Sequence, residues 1–242
     1  MDKPDIYQQE DYAQDYDEDR YGGAFGQYLH DLELNTFLSL IDLSYINVLD
    51  VGAGTGKLSI PLTIQSRHVV AVDSSEEMIK ILRIKAKKRD VELKTIICDA
   101  NRLCFNEKAF DCVVSSRLLM HLKDWREAIA ELCRISRGAA IIDFPPCLSF
   151  AGLGSLLRKL KRFLIPDTQT YKAFIIRDVI DEFHKHDFEL VVIERQFFLP
   201  YAFHRWLNLP WLSAKIEKLF MRFGLVKLIG APVILKAIRK NK

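Results

Sequence analysis

Val48-Leu49-Asp50-Val51-Gly52-Ala53-Gly54-Thr55-Gly56-Lys57-Leu58, VLDVGAGTGKL, decides the fold. An apolar run passes straight into three glycines at alternate positions, the pattern of a buried strand whose chain turns sharply at its carboxyl end. With no Cβ in the way, backbone there can lie close against a flat ligand. Two familiar glycine loops fail on spacing. A triphosphate loop, G-x-x-x-x-G-K-[ST], needs glycine at 51 and a hydroxyl at 58, where the chain has Val51 and Leu58. The dinucleotide fingerprint G-x-G-x-x-G needs a third glycine at 57, which is Lys57. G-x-G-x-G remains, with Asp50 placed where its carboxylate would favour a ligand ammonium, directly or through water.

Outward from this loop, strands and helices alternate. Ile46–Val51 reads as the first strand and Lys57–Gln65 as a helix. His68–Val72 reads as a buried strand ending at Asp73, and Ser74 or Ser75 caps the next helix, with Glu76 and Glu77 in its first turn. Leu93–Cys98 ends at Asp99, and Phe110–Ser115 is a further strand. Trp125–Ile135 is amphipathic, and Ala139–Phe144 stops at Pro145-Pro146. Before the sheet, Leu29, Leu32, Phe37, Leu40 and Ile41 recur at helical spacing over Tyr28–Leu43. Alternation of this kind argues for a parallel sheet covered on both faces. Such sheets bind ligands beyond the carboxyl ends of their strands, where Gly52–Gly56, Asp73, Asp99 and Ser115-Ser116 all fall.

Four stretches in this order, VLDVGAGTGKLSIPL, VVAVDSSEEMIKIL, ICDANRL and FDCVVSSRLLMHLKDW, resemble the class I S-adenosylmethionine-dependent methyltransferase family. The resemblance covers about residues 20–144; the segment to 242 matches only in general layout. It implies an α/β fold with a doubly wound, mostly parallel seven-stranded sheet, Rossmann-like, with helices on both faces. It implies S-adenosyl-L-methionine as cofactor, with Gly52, Ala53 and Gly54 along its methionine and ribose side and Asp73 accepting from both ribose hydroxyls. Ser74 follows that carboxylate, and Met78 would lie near the adenine edge or serve in the core. Asp99 would receive the adenine amino group, and the Ala100 amide would face the ring. Ser115, Ser116 and Arg117 would face the methionine and the acceptor. RYGGAFGQYLHDLE resembles the family's leading helix, so Arg20, Tyr21 and Tyr28 would close over the cofactor, or simply pack in a helix. Ser115-Ser116-Arg117-Leu118 departs from the Asn/Asp-Pro-Pro-aromatic run of base-modifying relatives, which argues against nucleobase or glutamine N-methylation by that device.

Methyl transfer needs alignment above all, and a base helps where the acceptor is a hydroxyl or an acidic carbon. His121, just past the fourth strand, is the candidate catalytic residue; the alternative is a structural histidine bonded to backbone. From Phe150 onward the pattern changes. Phe150–Ile165 is apolar with basic residues interleaved, Phe174–His184 reads as a helix, and Glu189–Glu194 and Pro232–Ile238 as strands. Arg195–Leu228 holds eight aromatics and six basic residues against one acid. Residues 150–228 are expected to form an apolar, basic cap on a single domain running from 20 to 242. The acceptor is then a small or lipid-like molecule, and 195–228 a candidate for peripheral membrane contact; a plain helical core is the alternative. A tRNA-modifying enzyme and a non-catalytic cofactor-binding subunit are the competing readings. The first lacks a recognisable RNA module, so a nucleic-acid partner is not expected.

Charge is distributed unevenly. Residues 1–19 carry eight acids and one lysine and are expected to be a disordered arm. Residues 150–242 carry 17 basic and 8 acidic side chains, which suggests an anionic partner or a soluble surface. Five cysteines, none in a C-x-x-C pair, read as reduced and mostly buried thiols of a cytoplasmic protein with no metal site. No run of 18 apolar residues occurs, and the amino terminus lacks the basic start and apolar core of a signal peptide.

Overall fold

The computed structural model describes residues 10–65, 67–149 and 172–240. In chain order these form α1 (Glu10–Tyr21), α2 (Gly23–Leu40), β1 (Asn47–Val51), α3 (Ser59–Ile64), β2 (His68–Asp73), α4 (Glu76–Lys88), β3 (Lys94–Ile97) and β4 (Phe110–Ser115). A 3-10 turn at Leu119–His121 precedes α5 (Trp125–Ile135) and β5 (Ser136–Phe144). Then come α6 (Ile176–Lys185), β6 (Phe188–Phe197), α7 (Tyr201–Leu207), α8 (Pro210–Arg222), α9 (Leu225–Ile229) and β7 (Ala231–Arg239). The seven strands lie in the order β3-β2-β1-β4-β5-β7-β6, all parallel except β7, which runs antiparallel to both neighbours. This is the doubly wound, mostly parallel sheet expected from the sequence. Phe150–Ile165, the first part of the expected apolar, basic cap, lies outside the described residues.

Alternation along β1 distributes its side chains between two cores. Leu49 and Val51 enter the larger cluster with Trp125, Ile129 and Leu132 of α5 and Val179 and Phe183 of α6. Val48 faces the opposite way, into the cluster with Phe37 of α2 and Leu62 of α3. Asp50 shares the parity of Val48, so its carboxylate also points to the α3 side of the sheet. Helix ends follow local chemistry. The Ser75 hydroxyl caps α4 by accepting from the Met78 amide at 3.2 Å, while Glu76 and Glu77 start the helix and Lys85, Lys87 and Lys88 end it, matching its dipole.

Two expectations need correction. Of residues 1–19, expected as a disordered arm, 1–9 lie outside the described residues and 10–19 are helical from Glu10, where Asp17 finds partners on the body of the protein: it accepts from the Thr55 hydroxyl at 2.7 Å and pairs with Lys85. Only Cys112 and Cys133 are buried; Cys98 is half-buried, and Cys104 and Cys147 are exposed in connections beyond strands. Burial pushes the Cys112 thiol up to about 12, which leaves it an inert core residue.

Candidate functional site

The carboxyl ends of β1, β2 and β4 lie side by side, because Asp50 pairs with Ala71 on one flank and Val114 on the other. The glycine loop leaves β1 there with positive φ at Gly52, Gly54 and Gly56. Its anchor is Asp73. Oδ2 accepts from the Gly54 amide at 2.8 Å, and Oδ1 accepts from the Ser75 amide at 2.9 Å. Burial raises the Asp73 carboxyl above its ordinary range, against the opposing pull of the Ser75, Gly54 and Ser74 amides. A carboxylate offers about four lone-pair positions, so capacity for a further donor remains. A Cβ built on Gly54 would meet nothing within 4 Å, so this glycine faces open space. Asp99 and Ala100 follow β3; Asp99 is exposed and accepts from the Asn101 amide at 2.9 Å, while Ala100 is buried.

The tip of β4 divides its residues. Ser115 donates its hydroxyl to the Val51 carbonyl at 2.8 Å, stitching β4 to β1. The next hydroxyl, Ser116 Oγ, is buried without a hydrogen-bond partner. Arg117 then takes a left-handed conformation, φ 59°, and its amide donates to the buried Asp143 at the end of β5. Burial, with Glu33 nearby, pushes the Asp143 carboxyl up to about 6. Asp50, expected near a ligand ammonium, instead accepts from the Ser59 hydroxyl at 2.5 Å and is 2% exposed. Its side-chain parity forces this, and burial raises it to about 7.

Beside the loop lies a cluster that motif reading missed. Glu33 of α2, fully buried, pairs with Lys57 of the loop and with Arg117 Nη2 at 2.5 Å, and accepts from the Tyr201 hydroxyl of α7. Tyr21, at the end of α1, lies over both cations, its ring centroid 5.2 Å from Lys57 Nζ and 5.7 Å from the Arg117 guanidinium carbon. One carboxylate thus ties the amino-terminal helices, the loop, the tip of β4 and the cap together. The available signal was spacing: Phe25, Leu29, Glu33 and Phe37 fall on one buried stripe of α2, with an acid in an apolar position.

Other expected site residues are placed as follows. Arg20 lies in α1. Tyr28 packs in a separate small cluster with Phe25, Leu29, Phe197 and Tyr201, where burial and then Glu217 raise its hydroxyl. Ala53 is buried beneath the loop with Ala71 and Leu82, and Ser74 is exposed. Met78 is 2% exposed, a core position. His121 is half-buried in the 3-10 turn, its amide donating to the Leu118 carbonyl at 2.9 Å.

Comparison with known proteins agrees with this geometry. Residues 48–138 match the family model described as a methyltransferase domain, the span from β1 to the start of β5. The chain is similar to a demethylmenaquinone methyltransferase of Thermus thermophilus, 32% identical over 104 residues that cover 41% of this chain and 47% of that relative. It is also similar to a ubiquinone biosynthesis O-methyltransferase of Rickettsia typhi, 30% identical over 104 residues, 42% of each. The chain therefore spans less than half the length of these curated methyltransferases in the matched region. In fold it is similar to the magnesium protoporphyrin IX methyltransferase of Synechocystis with SAH bound, at a TM-score of 0.69 and 17% identity over 98% of this chain and 97% of that one. An S-adenosylmethionine-dependent methyltransferase of Mesorhizobium loti superposes with a TM-score of 0.62 at 15% identity, covering 86% of this chain and 98% of that one.

Proposed function

We propose that this protein is a methyltransferase that transfers a methyl group from S-adenosyl-L-methionine to a small, largely apolar acceptor. The carrying observation is the open side of Gly54 beside the Asp73 carboxylate, at the strand tips where the family places its cofactor. The residues fit that group. Backbone from Gly52 to Gly54 and the unpartnered Ser116 hydroxyl would hold the amino-acid end, Asp73 the sugar, and Asp99 with the Ala100 amide the base. When bound, the cofactor supplies an electrophilic methyl on a sulfonium.

What the chain contributes is alignment and exclusion of water. The Glu33 cluster fixes Arg117 and Tyr201 at one wall, and α1 lies against the loop through Asp17 and Thr55. Acceptor chemistry is read from the cap and from relatives whose names concern quinones, with a tetrapyrrole methyltransferase as structural neighbour. His121 would act as the base if the acceptor is a hydroxyl or acidic carbon.

The test is incubation of the full chain with methyl-labelled S-adenosylmethionine and a lipid extract, with labelled products identified by mass spectrometry. Labelled apolar product is expected. Label appearing only in RNA, or in nothing while the cofactor binds, would overturn the reading. A His121→Ala protein with unchanged turnover and cofactor affinity would remove that residue from catalysis.

A further inference from the structure

The helical cap between β6 and β7 is built inside out. On α8, Ser213 and Glu217 are turned inward, 0% and 2% exposed, while Trp211 stands 59% exposed. On α7, His204 is fully buried while Phe203 and Trp206 face solvent, Trp206 at 79%. Phe223 and Leu228 continue the same surface. Of the 17 large apolar side chains exposed among the described residues, eight fall between 203 and 228, too concentrated for scattered surface exposure.

Polar chemistry holds this inversion in place. Glu217 accepts from the amides of Phe198 at 2.8 Å and Leu199 at 3.1 Å, and its Oε1 lies 2.8 Å from His204 Nε2. These contacts pin the inner faces of α7 and α8 to the end of β6, which leaves the apolar faces outward. Glu217 is also the only acid between Tyr201 and Ile229, so the outer face carries none. Arg205, Lys215, Lys218, Arg222 and Lys227 are all exposed there. Trp211, Lys215, Lys218 and Arg222 recur at helical spacing on one stripe, and Lys215 Nζ sits 5.3 Å from the Trp211 ring centroid.

Tryptophan and leucine set among lysine and arginine, without acids, match a surface whose headgroups are anionic and whose interior is apolar. A second copy of this chain would bring a like-charged face against it. No helix among the described residues is long and apolar enough to cross a membrane, so the contact is one of surface docking. We infer that the outer face of α7, α8 and α9 docks the protein on an anionic lipid bilayer. This rests on the proposed function: the same cap reaches the Glu33 cluster through Tyr201, and an apolar acceptor would pass from the bilayer to that side.

The test uses the full chain with vesicles of phosphatidylcholine alone and of phosphatidylcholine mixed with phosphatidylglycerol. Of the three tryptophans, Trp125 is buried, so a lipid-induced shift of emission reports the two in the cap. Sedimentation with the mixed vesicles and a blue shift are expected, both weakening as salt rises. Trp206→Ser with Trp211→Ser abolishes sedimentation, and Lys215→Glu with Lys218→Glu weakens binding at least about 100-fold. No sedimentation at low salt, equal sedimentation with neutral vesicles, or a blue shift that grows with protein concentration without lipid would overturn the inference. Calorimetry with S-adenosylmethionine on the same preparation separates the two failures: lost cofactor binding sinks the proposed function and leaves the vesicle result to stand by itself.

Discussion

The Gly54 amide donates to Asp73 Oδ2 over 2.8 Å, so the carboxylate that ends β2 also holds the loop that ends β1. Loop geometry therefore depends on this one side chain, and so does the proposed recognition of the cofactor's sugar. Asp73→Ala removes both. Asp73→Asn leaves an NH2 group facing one of the backbone amides that now donate to it, a clash of donors. Hydrogen bonds to a charged group are worth about 1.5–3 kcal/mol, so each variant should bind S-adenosylmethionine roughly 10- to 100-fold more weakly. Calorimetric titration checks this, and unchanged affinity in both variants would remove Asp73 from the site.

Glu33 is the counter-charge for two buried cations. Burial alone would raise its carboxyl, but Arg117 and Lys57 outweigh it and hold the group far below the usual carboxylate range. Its contribution is therefore present above the unfolded value and lost as pH falls. Glu33→Gln keeps the shape and leaves Lys57 and Arg117 without their carboxylate. A buried pair broken on one side costs about 3–5 kcal/mol, so the denaturant midpoint should drop sharply at pH 7. An unshifted midpoint would mean that the cluster contributes no stability.

Asp50 gives the opposite pH dependence. Burial raises it to about 7, against the hydrogen bonds from Ser59, so the folded protein holds a proton there that the unfolded chain releases near pH 4. A group raised in the folded state loses stabilising weight as pH rises, here between about 4 and 7. Asp50→Asn removes that titration, and its carbonyl can still accept from the Ser59 hydroxyl. The slope of unfolding free energy against pH should flatten across that window. A slope identical to the parent would show that Asp50 is ionised in the fold.

The fold was legible because its signals are local. Phe110–Ser115 and Trp125–Ile135 were read with the bounds they have, and the strand before the glycines began one residue early. Strand order and the site's wall were less legible, because they arise from contacts between distant segments. Tyr201 and Glu33 are 168 residues apart, and nothing in either neighbourhood names the other. The orientations of Asp50 and Ser115 were not legible for a different reason. A motif gives a residue's place at a strand end, while pleat parity and neighbours decide which way its side chain turns. The acidic arm was judged on composition, which is blind to Asp17 meeting Thr55 and Lys85.

Two glycines of the same loop should respond differently to the same change. Both have positive φ, 53° at Gly54 and 91° at Gly56, so alanine strains each by about 1–2 kcal/mol. At Gly56 the new methyl would come within 3.1 Å of Ile60 Cδ1 and Leu82 Cγ, inside the fold, so Gly56→Ala adds overpacking of about 1–3 kcal/mol. At Gly54 it would meet no protein atom, so it intrudes only on the open side of the loop. Gly54→Ala should melt closer to the parent than Gly56→Ala does, yet lose at least about tenfold in S-adenosylmethionine affinity as the methyl occupies space the cofactor needs. Thermal melting and calorimetric titration of the two variants side by side decide it. Full affinity in Gly54→Ala would place the cofactor somewhere other than the open face of this loop.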